Sequence, residues 1–260
     1  MFNLLRSKRR TVPDKSSSIG EGAVYAVGDI HGRIDLLNQL LEQIRQDIAT
    51  RSLLIRPLLV FLGDYVDRGP ASREVIDLIA DLRTTYTVVC LRGNHEDVLL
   101  RFLEDPSIGP DWVEHGGAQT LLSYGVTPPQ RVDPVPWEKV RDRFAEALPD
   151  SHLTFFKGLE HYAAIGDYVF AHAGVRPGVP LEQQTSQDLL WIRRPFLDVE
   201  KAIDRVVVHG HTPTEEPHLG RWRIGVDTGA YATGVLTAVR LLGSERAFLS
   251  TRPSGTWRDQ

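Results

Sequence analysis

The most constraining feature of the sequence is an apolar run that stops at a glycine and a polar cluster, and that recurs along the first hundred residues. Residues 23–27, 58–62 and 87–91 are such runs. Amphipathic segments with helical spacing of apolar residues follow them, as in residues 34–49 and 71–82. This alternation predicts strand–loop–helix crossover units, and hence an α/β fold with a largely parallel first half.

The polar clusters are expected to meet in space. Ligands of open α/β sheets bind outside the carboxyl ends of the strands, where the ends of parallel strands lie together. Two later apolar runs also end in histidines, with His172 after residues 168–171 and His209 and His211 at the end of residues 205–208. The strand ends therefore bring a set of carboxylate, amide and imidazole side chains to one edge.

These side chains predict a metal site. The set contains no thiolate, and it suits divalent Mn, Fe or Zn. Six ligands with one bridging carboxylate fit two ions about 3.5–4 Å apart, the spacing of two-metal hydrolytic sites. The predicted ligands are Asp29, His31, Asp64, Asn94, His172 and His211. His209 is either an additional ligand or a supporting buried histidine, and the second interpretation is favoured because the site already has six ligands.

Composition limits the classes of protein that remain. The chain has 260 residues, which fits one large domain. Its formal net charge of −4 argues against general nucleic-acid binding. No run approaches the about 20 apolar residues of a membrane span, so no stable membrane association is expected. The single cysteine, Cys90, excludes an internal disulfide, and the cytoplasm is the expected location.

The chain is expected to form one domain over residues 23–260, after a flexible basic tail over residues 1–22. Residues of about 105–165 differ from the rest because they are rich in proline. Helical pieces are predicted there near residues 112–124 and 137–148. We interpret this segment as a mainly helical cap inserted beside the site.

The motifs resemble the calcineurin-like metallophosphoesterase superfamily, and within it the phosphoprotein phosphatase branch of bacterial and phage serine/threonine phosphatases. The resemblance implies two mixed β-sheets packed as a sandwich and flanked by helices. It extends over most of the chain and is carried by Gly28-Asp29-Ile30-His31-Gly32, Gly63-Asp64-Tyr65-Val66-Asp67-Arg68-Gly69, Leu91-Arg92-Gly93-Asn94-His95-Glu96, His172-Ala173-Gly174 and Gly210-His211-Thr212.

The resemblance also implies a role for each matching residue. Asp29 and His31 would bind the first metal ion, Asp64 would bridge, and the second ion would take the remaining ligands, which are Asn94, His172 and His211. Two divalent ions are implied, with Mn²⁺ favoured and Fe²⁺ or Zn²⁺ as alternatives. His95 would be a catalytic acid oriented by Asp67. The residues expected to bind the substrate phosphate are Arg68, Asn94 and Arg193, with Arg194 as the alternative to Arg193.

The function expected from this branch is hydrolysis of phosphoserine and phosphothreonine in proteins by a hydroxide that bridges the metals. The rival in the same superfamily is a symmetrical dinucleoside polyphosphate hydrolase, which tends to carry alanine at the position of Asp67 and aspartate at that of Glu96. A non-catalytic binding module on the same fold is the alternative of another class. One departure concerns the cap, because His115 stands where many relatives have asparagine before Gly116-Gly117.

Overall fold

The structure is a computed structural model that describes residues 17–51, 55–129 and 136–251. Most of the predicted basic tail, residues 1–16, lies outside the described residues. None of the described helices is both long and apolar enough to cross a membrane.

The described chain alternates strands and helices through its first half and returns to strands in its second. The β-strands are β1 Ala23–Val27, β2 Leu58–Phe61, β3 Thr87–Cys90, β4 Tyr162–Ile165, β5 Tyr168–Ala171, β6 Val206–His209, β7 His218–Leu219, β8 Arg223–Gly225, β9 Thr237–Leu242 and β10 Glu245–Ser250. The α-helices are α1 Ile34–Arg51, α2 Ser72–Leu82, α3 Asn94–Glu104, α4 Gly109–Trp112, α5 Ala118–Ser123, α6 Trp137–Ala147, α7 Asp150–Lys157, α8 Ser186–Trp191 and α9 Ala230–Thr233.

The strands form two mixed sheets of five strands each. The first has the order β10-β9-β1-β2-β3, with β1, β2 and β3 parallel and β9 antiparallel to β1. The second has the order β4-β5-β6-β8-β7, with β5, β6 and β8 parallel. The predicted fold class is confirmed, and so is the parallel first half of the chain.

Alternation along the strands explains why the two sheets pack face to face. Val24 and Ala26 of β1 point to the second sheet and meet Phe170 and Val208 in a buried cluster between the sheets. Tyr25 of the same strand points the other way, into the larger cluster beneath the helices. Since side chains of a strand alternate between its faces, one apolar run supplies both layers.

The described part of the predicted cap segment is helical between Pro106 and Lys157, but its last residues, Tyr162–Ile165, form strand β4 of the second sheet instead. Trp112 and Phe144 from this segment are fully buried in the same apolar cluster as the helices that follow β1 and β2. The segment also contains a π-helical turn, Val113–Gly117, in which Gly116 has a φ of +114°. The cap segment is therefore packed onto the sheet domain, beside the carboxyl ends of the first strands.

Several elements are absent from the sequence-based expectations. They are the short or edge strands β4, β7 and β10 and the short helices α7, α8 and α9. The edge strand β10 is only partly buried over most of its length, and only three of its six residues, Ala247, Phe248 and Leu249, are apolar. A short strand of this kind carries a weak periodic signal, because its burial comes from its partner strand rather than from an apolar run of its own.

Candidate metal centre and phosphate site

The loops after the parallel strands carry an unusual backbone. Among the residues that the structure describes, five other than glycine have left-handed φ angles between +47° and +69°, and all five lie in the strand-end motifs: His31, Asp64, Asp67, Arg68 and His211. Such conformations cost about 1–3 kcal/mol each and persist where the surrounding structure imposes them. At this site they turn the side chains back toward the sheet edge.

Two glycines make room for the carboxylates of the site. A Cβ at Gly93 would lie 2.1 Å from Oδ1 of Asp64, and a Cβ at Gly210 would lie 2.1 Å from Oδ1 of Asp29. Any larger residue at either position would occupy the space of a predicted metal ligand. The glycine in each motif is thus explained by close approach of a carboxylate.

The predicted ligands converge on Asp64. Its carboxylate lies 3.6 Å from Nε2 of His31 and 3.4 Å from Nε2 of His172. Oδ1 of Asn94 lies 2.9 Å from both Nε2 of His172 and Nδ1 of His211. Ligand atoms of Asp64, His172 and His211 lie within 4.8 Å of one another, as do those of Asp64, His31 and His95. Both groups share Asp64, as a bridging carboxylate requires.

The imidazoles are oriented for metal binding. Nδ1 of His31 lies 2.8 Å from the Val66 carbonyl, and Nδ1 of His172 lies 2.9 Å from that of Leu62. A carbonyl accepts a hydrogen bond, so it keeps the proton on Nδ1 and leaves the Nε2 lone pair facing the centre. Burial lowers the pKa of His31 to about 3 and also lowers that of His172. These rings are therefore neutral at pH 7, as ligands must be.

Several carboxylates are buried close together at the site, and cations would offset their negative charges. Asp29, Asp64 and Asp227 are all at most 5% exposed. Burial, followed by the charges of Asp227 and Asp64, holds the pKa of Asp29 well above its usual range. Burial likewise raises the pKa of Asp227 to about 6. Divalent ions at this edge would offset the repulsion, so the residues present fit a metal centre.

Asp227 was not predicted as a site residue, although the sequence carries the relevant signal. It follows the apolar run of residues 222–226, in the same way that Asp29 and Asp64 follow theirs. Its side chain accepts a hydrogen bond from the Gly229 amide at 2.9 Å and lies beside Asp29.

His95 differs from the other histidines of the site. Its Nδ1 lies 2.7 Å from Oδ2 of Asp67, and its Nε2 lies 3.9 Å from Asp64. Burial disfavours the imidazolium, but the carboxylates of Asp64 and Asp67 outweigh burial and raise the pKa of His95 to about 9. A protonated ring has no lone pair for a metal, so this geometry suits a proton donor.

Asp67 is held by the cap segment. Its Oδ2 accepts a hydrogen bond from the indole N–H of Trp112 at 2.9 Å, and its Oδ1 accepts one from Oγ1 of Thr120 at 2.6 Å. With His95, three donors therefore fix one buried carboxylate. These two contacts could not be predicted from the sequence, because they depend on how the cap packs against the sheet.

Arginines border the open side of the site. Arg68 and Arg193 line a cavity of about 290 Å³ together with Asp64, Asn94, His95 and His211. The guanidinium of Arg68 also lies 4.6 Å from the ring centre of Tyr231. Arg194 does not line this cavity, and its Nε lies 3.4 Å from the carboxylate of Asp198. The geometry therefore favours Arg193 over Arg194.

Two further histidines have different positions. His209 is buried, with Nδ1 at 2.9 Å from the Gly210 carbonyl and its ring edge-on to Phe196, and it belongs to neither ligand group. This agrees with a supporting buried histidine. His115 lines the mouth of the cavity from the cap, and its Nδ1 lies 2.8 Å from the Asp111 carbonyl.

The sequence of the chain matches a family model described as calcineurin-like phosphoesterase over residues 22–234. A curated relative from Geobacillus thermodenitrificans, bis(5'-nucleosyl)-tetraphosphatase PrpE (asymmetrical), is 29% identical over 82% of this chain and 88% of its own length. Three further relatives of 27–28% identity carry the same name.

Solved structures share the fold. One, from a protein whose description provisionally assigns it diadenosine tetraphosphatase activity, superposes with a TM-score of 0.61 and 22% identity, over 89% of this chain and 94% of that chain. A cold-active protein tyrosine phosphatase superposes with a TM-score of 0.58 and 18% identity, over 88% and 79%. At these identities the structures support the fold alone.

The expectation of a serine/threonine protein phosphatase is wrong, because the curated relatives are dinucleoside tetraphosphatases. The structure explains why Asp67 and Glu96, the two residues that favoured a protein phosphatase, do not distinguish the two substrate classes. Glu96 is fully buried, and its carboxylate accepts hydrogen bonds from the backbone amides of Gly93, Asp64, Tyr65 and Val66. Asp67 is equally buried behind His95. Neither lines the cavity, and Asp67 acts only through His95, so neither residue contacts the part of a substrate that distinguishes a phosphoprotein from a dinucleotide.

Proposed function

The chain belongs to the calcineurin-like phosphoesterase family, and from this we propose that it hydrolyses bis(5'-nucleosyl) tetraphosphates asymmetrically, to a nucleoside triphosphate and a nucleoside monophosphate. The observation that carries the proposal is the name shared by relatives that align over 82% or more of this chain. The expectation of symmetrical cleavage for such a substrate changes accordingly, since these relatives are named as asymmetrical enzymes.

Two divalent ions fit the ligands of the site. We assign Asp29 and His31 to one ion, Asp64 to both, and Asn94, His172 and His211 to the other, as the family resemblance implies. Bound there, the ions would lower the pKa of water and so supply hydroxide as a nucleophile at neutral pH. Mn²⁺ is the proposed metal, because the ligands are oxygen and imidazole without thiolate.

The arginines suit a polyphosphate. A tetraphosphate carries several negative charges, and a guanidinium can bind two phosphate oxygens at once. Arg68 and Arg193 lie on the cavity wall beside the metal ligands. They would orient the attacked phosphoryl group and offset charge on its equatorial oxygens in the transition state.

His95 would protonate the oxygen that leaves. The leaving group of an anhydride is itself a phosphate, which is a weaker base than the alkoxide of serine. The requirement for an acid is therefore smaller for this substrate than for an alkyl phosphate. Asp67 would accept a hydrogen bond from Nδ1 at 2.7 Å, and its charge would favour the imidazolium, which carries a second proton on Nε2 for donation.

Chromatography of the products of diadenosine tetraphosphate tests the proposal. The full chain with Mn²⁺ is expected to yield ATP and AMP in equal amounts. Asp64→Asn, which removes the bridging charge, should be inactive while remaining folded by circular dichroism. Formation of ADP alone would indicate symmetrical cleavage. Hydrolysis of p-nitrophenyl phosphate without any hydrolysis of diadenosine tetraphosphate would refute the proposed substrate class.

A further inference from the structure

Two exposed aromatic side chains flank the metal centre. Among the described residues, the exposed large apolar side chains include only two aromatic ones, Trp191 at 36% exposure and Tyr231 at 41%. The Trp191 ring lies 6.3 Å from that of His211, and the Tyr231 ring lies 5.3 Å from that of His31. Both contacts are edge-on. Of the two residues, Trp191 lines the cavity, together with Arg193.

The position of Trp191 is fixed by its neighbours. It is the last residue of α8, where the flanking Leu190 and Ile192 are buried. The carbonyl of Leu189 accepts a hydrogen bond from the Ala173 amide at 2.8 Å, which ties the helix to the loop after β5. The indole is thus held at the cavity rim while part of its surface remains open to solvent.

Resting on the proposed hydrolysis of dinucleoside tetraphosphates, we propose that Trp191 stacks against the nucleobase of the nucleotide whose α-phosphate is attacked. Stacking on an indole needs no particular base, because every nucleobase has a π face. This contact anchors one end of the substrate at the rim. It therefore determines which phosphorus lies at the metal centre, and with it the asymmetry of cleavage.

The short distance between Trp191 and the proposed metal ligands supports attack at the α-phosphate of the stacked nucleotide. The indole lies against a proposed metal ligand, His211, and Arg193 follows two residues later on the same wall. In a 5'-nucleotide only the ribose separates the base from the α-phosphate. Each further phosphate would carry the attacked phosphorus away from the stacked base. The α-phosphate is the one that matches a platform so close to the ligands.

The size of the cavity agrees with binding at one end only. Its volume of about 290 Å³ lies at the lower end of the range of roughly 300–1,000 Å³ for small-molecule sites. One nucleotide, including its attacked α-phosphate, would fill this cavity. The rest of the substrate would extend along the surface, so recognition of a single base would set the register.

The reaction balances as a hydrolysis. The oxygen of water forms a bond to the α-phosphorus, and the bond from that phosphorus to the oxygen bridging to the β-phosphorus breaks. The bridging oxygen leaves with the electron pair and receives a proton from His95, as part of the nucleoside triphosphate. The nucleoside monophosphate carries the new oxygen.

Substitutions of Trp191 test the stacking contact with diadenosine tetraphosphate and p-nitrophenyl phosphate side by side. Trp191→Leu keeps an apolar side chain but removes the π face. It should lower kcat/KM for the dinucleotide, relative to that for the aryl phosphate, about 10-fold. Trp191→Phe should restore most of this ratio. Leu219→Ala, an exposed apolar position outside the cavity, should leave both activities unchanged.

The products provide a readout that a merely structural role would not change. Trp191→Leu should release the substrate from its register, so that ADP appears beside ATP and AMP. In water enriched in ¹⁸O, the wild-type protein should place the label in AMP. Label in ATP would overturn the proposal, and so would equal losses of Trp191→Leu on both substrates with unchanged products.

Failure of the proposed function would be seen differently. In that case the wild-type protein would hydrolyse p-nitrophenyl phosphate but not diadenosine tetraphosphate. If the wild-type protein instead forms ATP and AMP and all Trp191 variants retain its kinetics and products, the function stands and the stacking platform is refuted.

Discussion

At the scale of single residues, His172 and His209 form a natural pair for comparison. Both are buried histidines at the carboxyl ends of the neighbouring strands β5 and β6. Nε2 of His172 faces Asp64 and Asn94, whereas that of His209 lies 3.2 Å from Nη1 of Arg223. The two histidines are thus similarly buried, but His172 faces the proposed metal ligands and His209 faces an arginine.

This pair yields a prediction about metal content. We expect His172→Ala to lose one of two bound ions, and kcat to fall at least about 100-fold, because it removes a ligand. His209→Ala should retain both ions and most activity, at a cost of about 1–3 kcal/mol in the free energy of unfolding. Native mass spectrometry measures the number of bound ions, and steady-state kinetics measure kcat. Loss of an ion from His209→Ala would contradict the supporting role.

The sequence predicted which residues lie close together in the site, but it did not predict which of them face the substrate cavity. Asp29 and His211 lie 182 positions apart and follow strands of different sheets, β1 and β6, so their contact depends on the face-to-face packing of the two sheets as well as on the strand ends. The amide of His211 donates a hydrogen bond to Asp29 at 3.0 Å. Burial of Asp67 and Glu96 was not readable in the same way, since a motif does not say which of its polar residues faces the cavity.

At the scale of elements, two glycines in the cap segment show how the cap contacts the site. Gly116 and Gly125 both have positive φ, +114° and +79°. A Cβ at Gly116 would lie 2.7 Å from both the backbone nitrogen and Cγ of Arg68, whereas a Cβ at Gly125 would meet nothing within 4 Å. The Gly116 carbonyl also accepts a hydrogen bond from the Arg68 amide at 3.0 Å.

Substitution of these glycines by alanine should separate backbone strain from displacement of Arg68. Each change is expected to cost about 1–2 kcal/mol of stability through the left-handed backbone. Gly116→Ala should also lower kcat/KM about 10- to 100-fold by misplacing the arginine, while Gly125→Ala keeps the wild-type value. Urea denaturation and kinetics provide the two measurements. Equal activity of both variants would show that the cap does not position Arg68.

A second link between elements joins α1 to the first sheet. Asp47 of α1 accepts hydrogen bonds from Tyr25 of β1 at 2.6 Å and from Arg240 of β9 at 2.8 Å. Arg240 is only 4% exposed. Burial alone would raise the pKa of Asp47, but hydrogen bonds from Tyr25 and Arg51 and the charge of Arg240 hold it below its usual range.

Asp47→Asn should therefore destabilise the protein in a pH-dependent way. We expect a loss of about 2 kcal/mol at pH 7, less than for a fully buried pair, because Asp47 is partly exposed and Glu245 still contacts Arg240. The folded-state pKa is depressed, so the stabilisation is present above the unfolded value of about 3.9 and is lost as pH falls through the folded value. Urea midpoints of both proteins should thus converge below about pH 4. A constant difference would contradict this assignment.

Elements that the sequence predicted are those with an apolar run or a clear helical period of their own. Strand β1 has the predicted bounds, residues 23–27, and α1, predicted over residues 34–49, extends to Arg51. Strand β10 and helix α7 owe their burial to neighbours, Thr237–Leu242 in the first case and the cap in the second. Their existence depends on contacts that periodicity does not contain.

At the scale of the whole molecule, the metal centre joins both sheets, because its ligands follow strands of each. Chelation should consequently weaken the entire fold. A ligand present at 100 times its dissociation constant stabilises the native state by about 3 kcal/mol. For a chain of this size the melting temperature should rise by roughly 5–10 °C when Mn²⁺ is added after EDTA treatment. Calorimetry at pH 7.5 measures it, with Mg²⁺ and Zn²⁺ as comparisons.

The absence of any shift with all three ions would contradict a centre built from Asp29, Asp64 and Asp227. Asp64→Asn provides the matched control, since it should reduce the response to Mn²⁺ while leaving the strands in place.

The substrate class is the property of the whole molecule that the sequence predicted least well. The fold followed from the order of five motifs, because each motif is tied to a strand end. Selection among phosphate esters and anhydrides belongs to the cavity wall, where Trp191, Arg193 and His115 come from α8, the loop after it and the cap. These exposed side chains have no periodicity, so their combination becomes visible only in three dimensions.

The order of the ligands along the chain also bears on how the protein is made. During synthesis from the N-terminus, Asp29 and His31 leave the ribosome early, whereas His211 emerges 182 residues after Asp29. A nascent chain cannot assemble the full set of proposed ligands before that point. A translation product that ends before His211 would therefore lack a ligand of the proposed second ion.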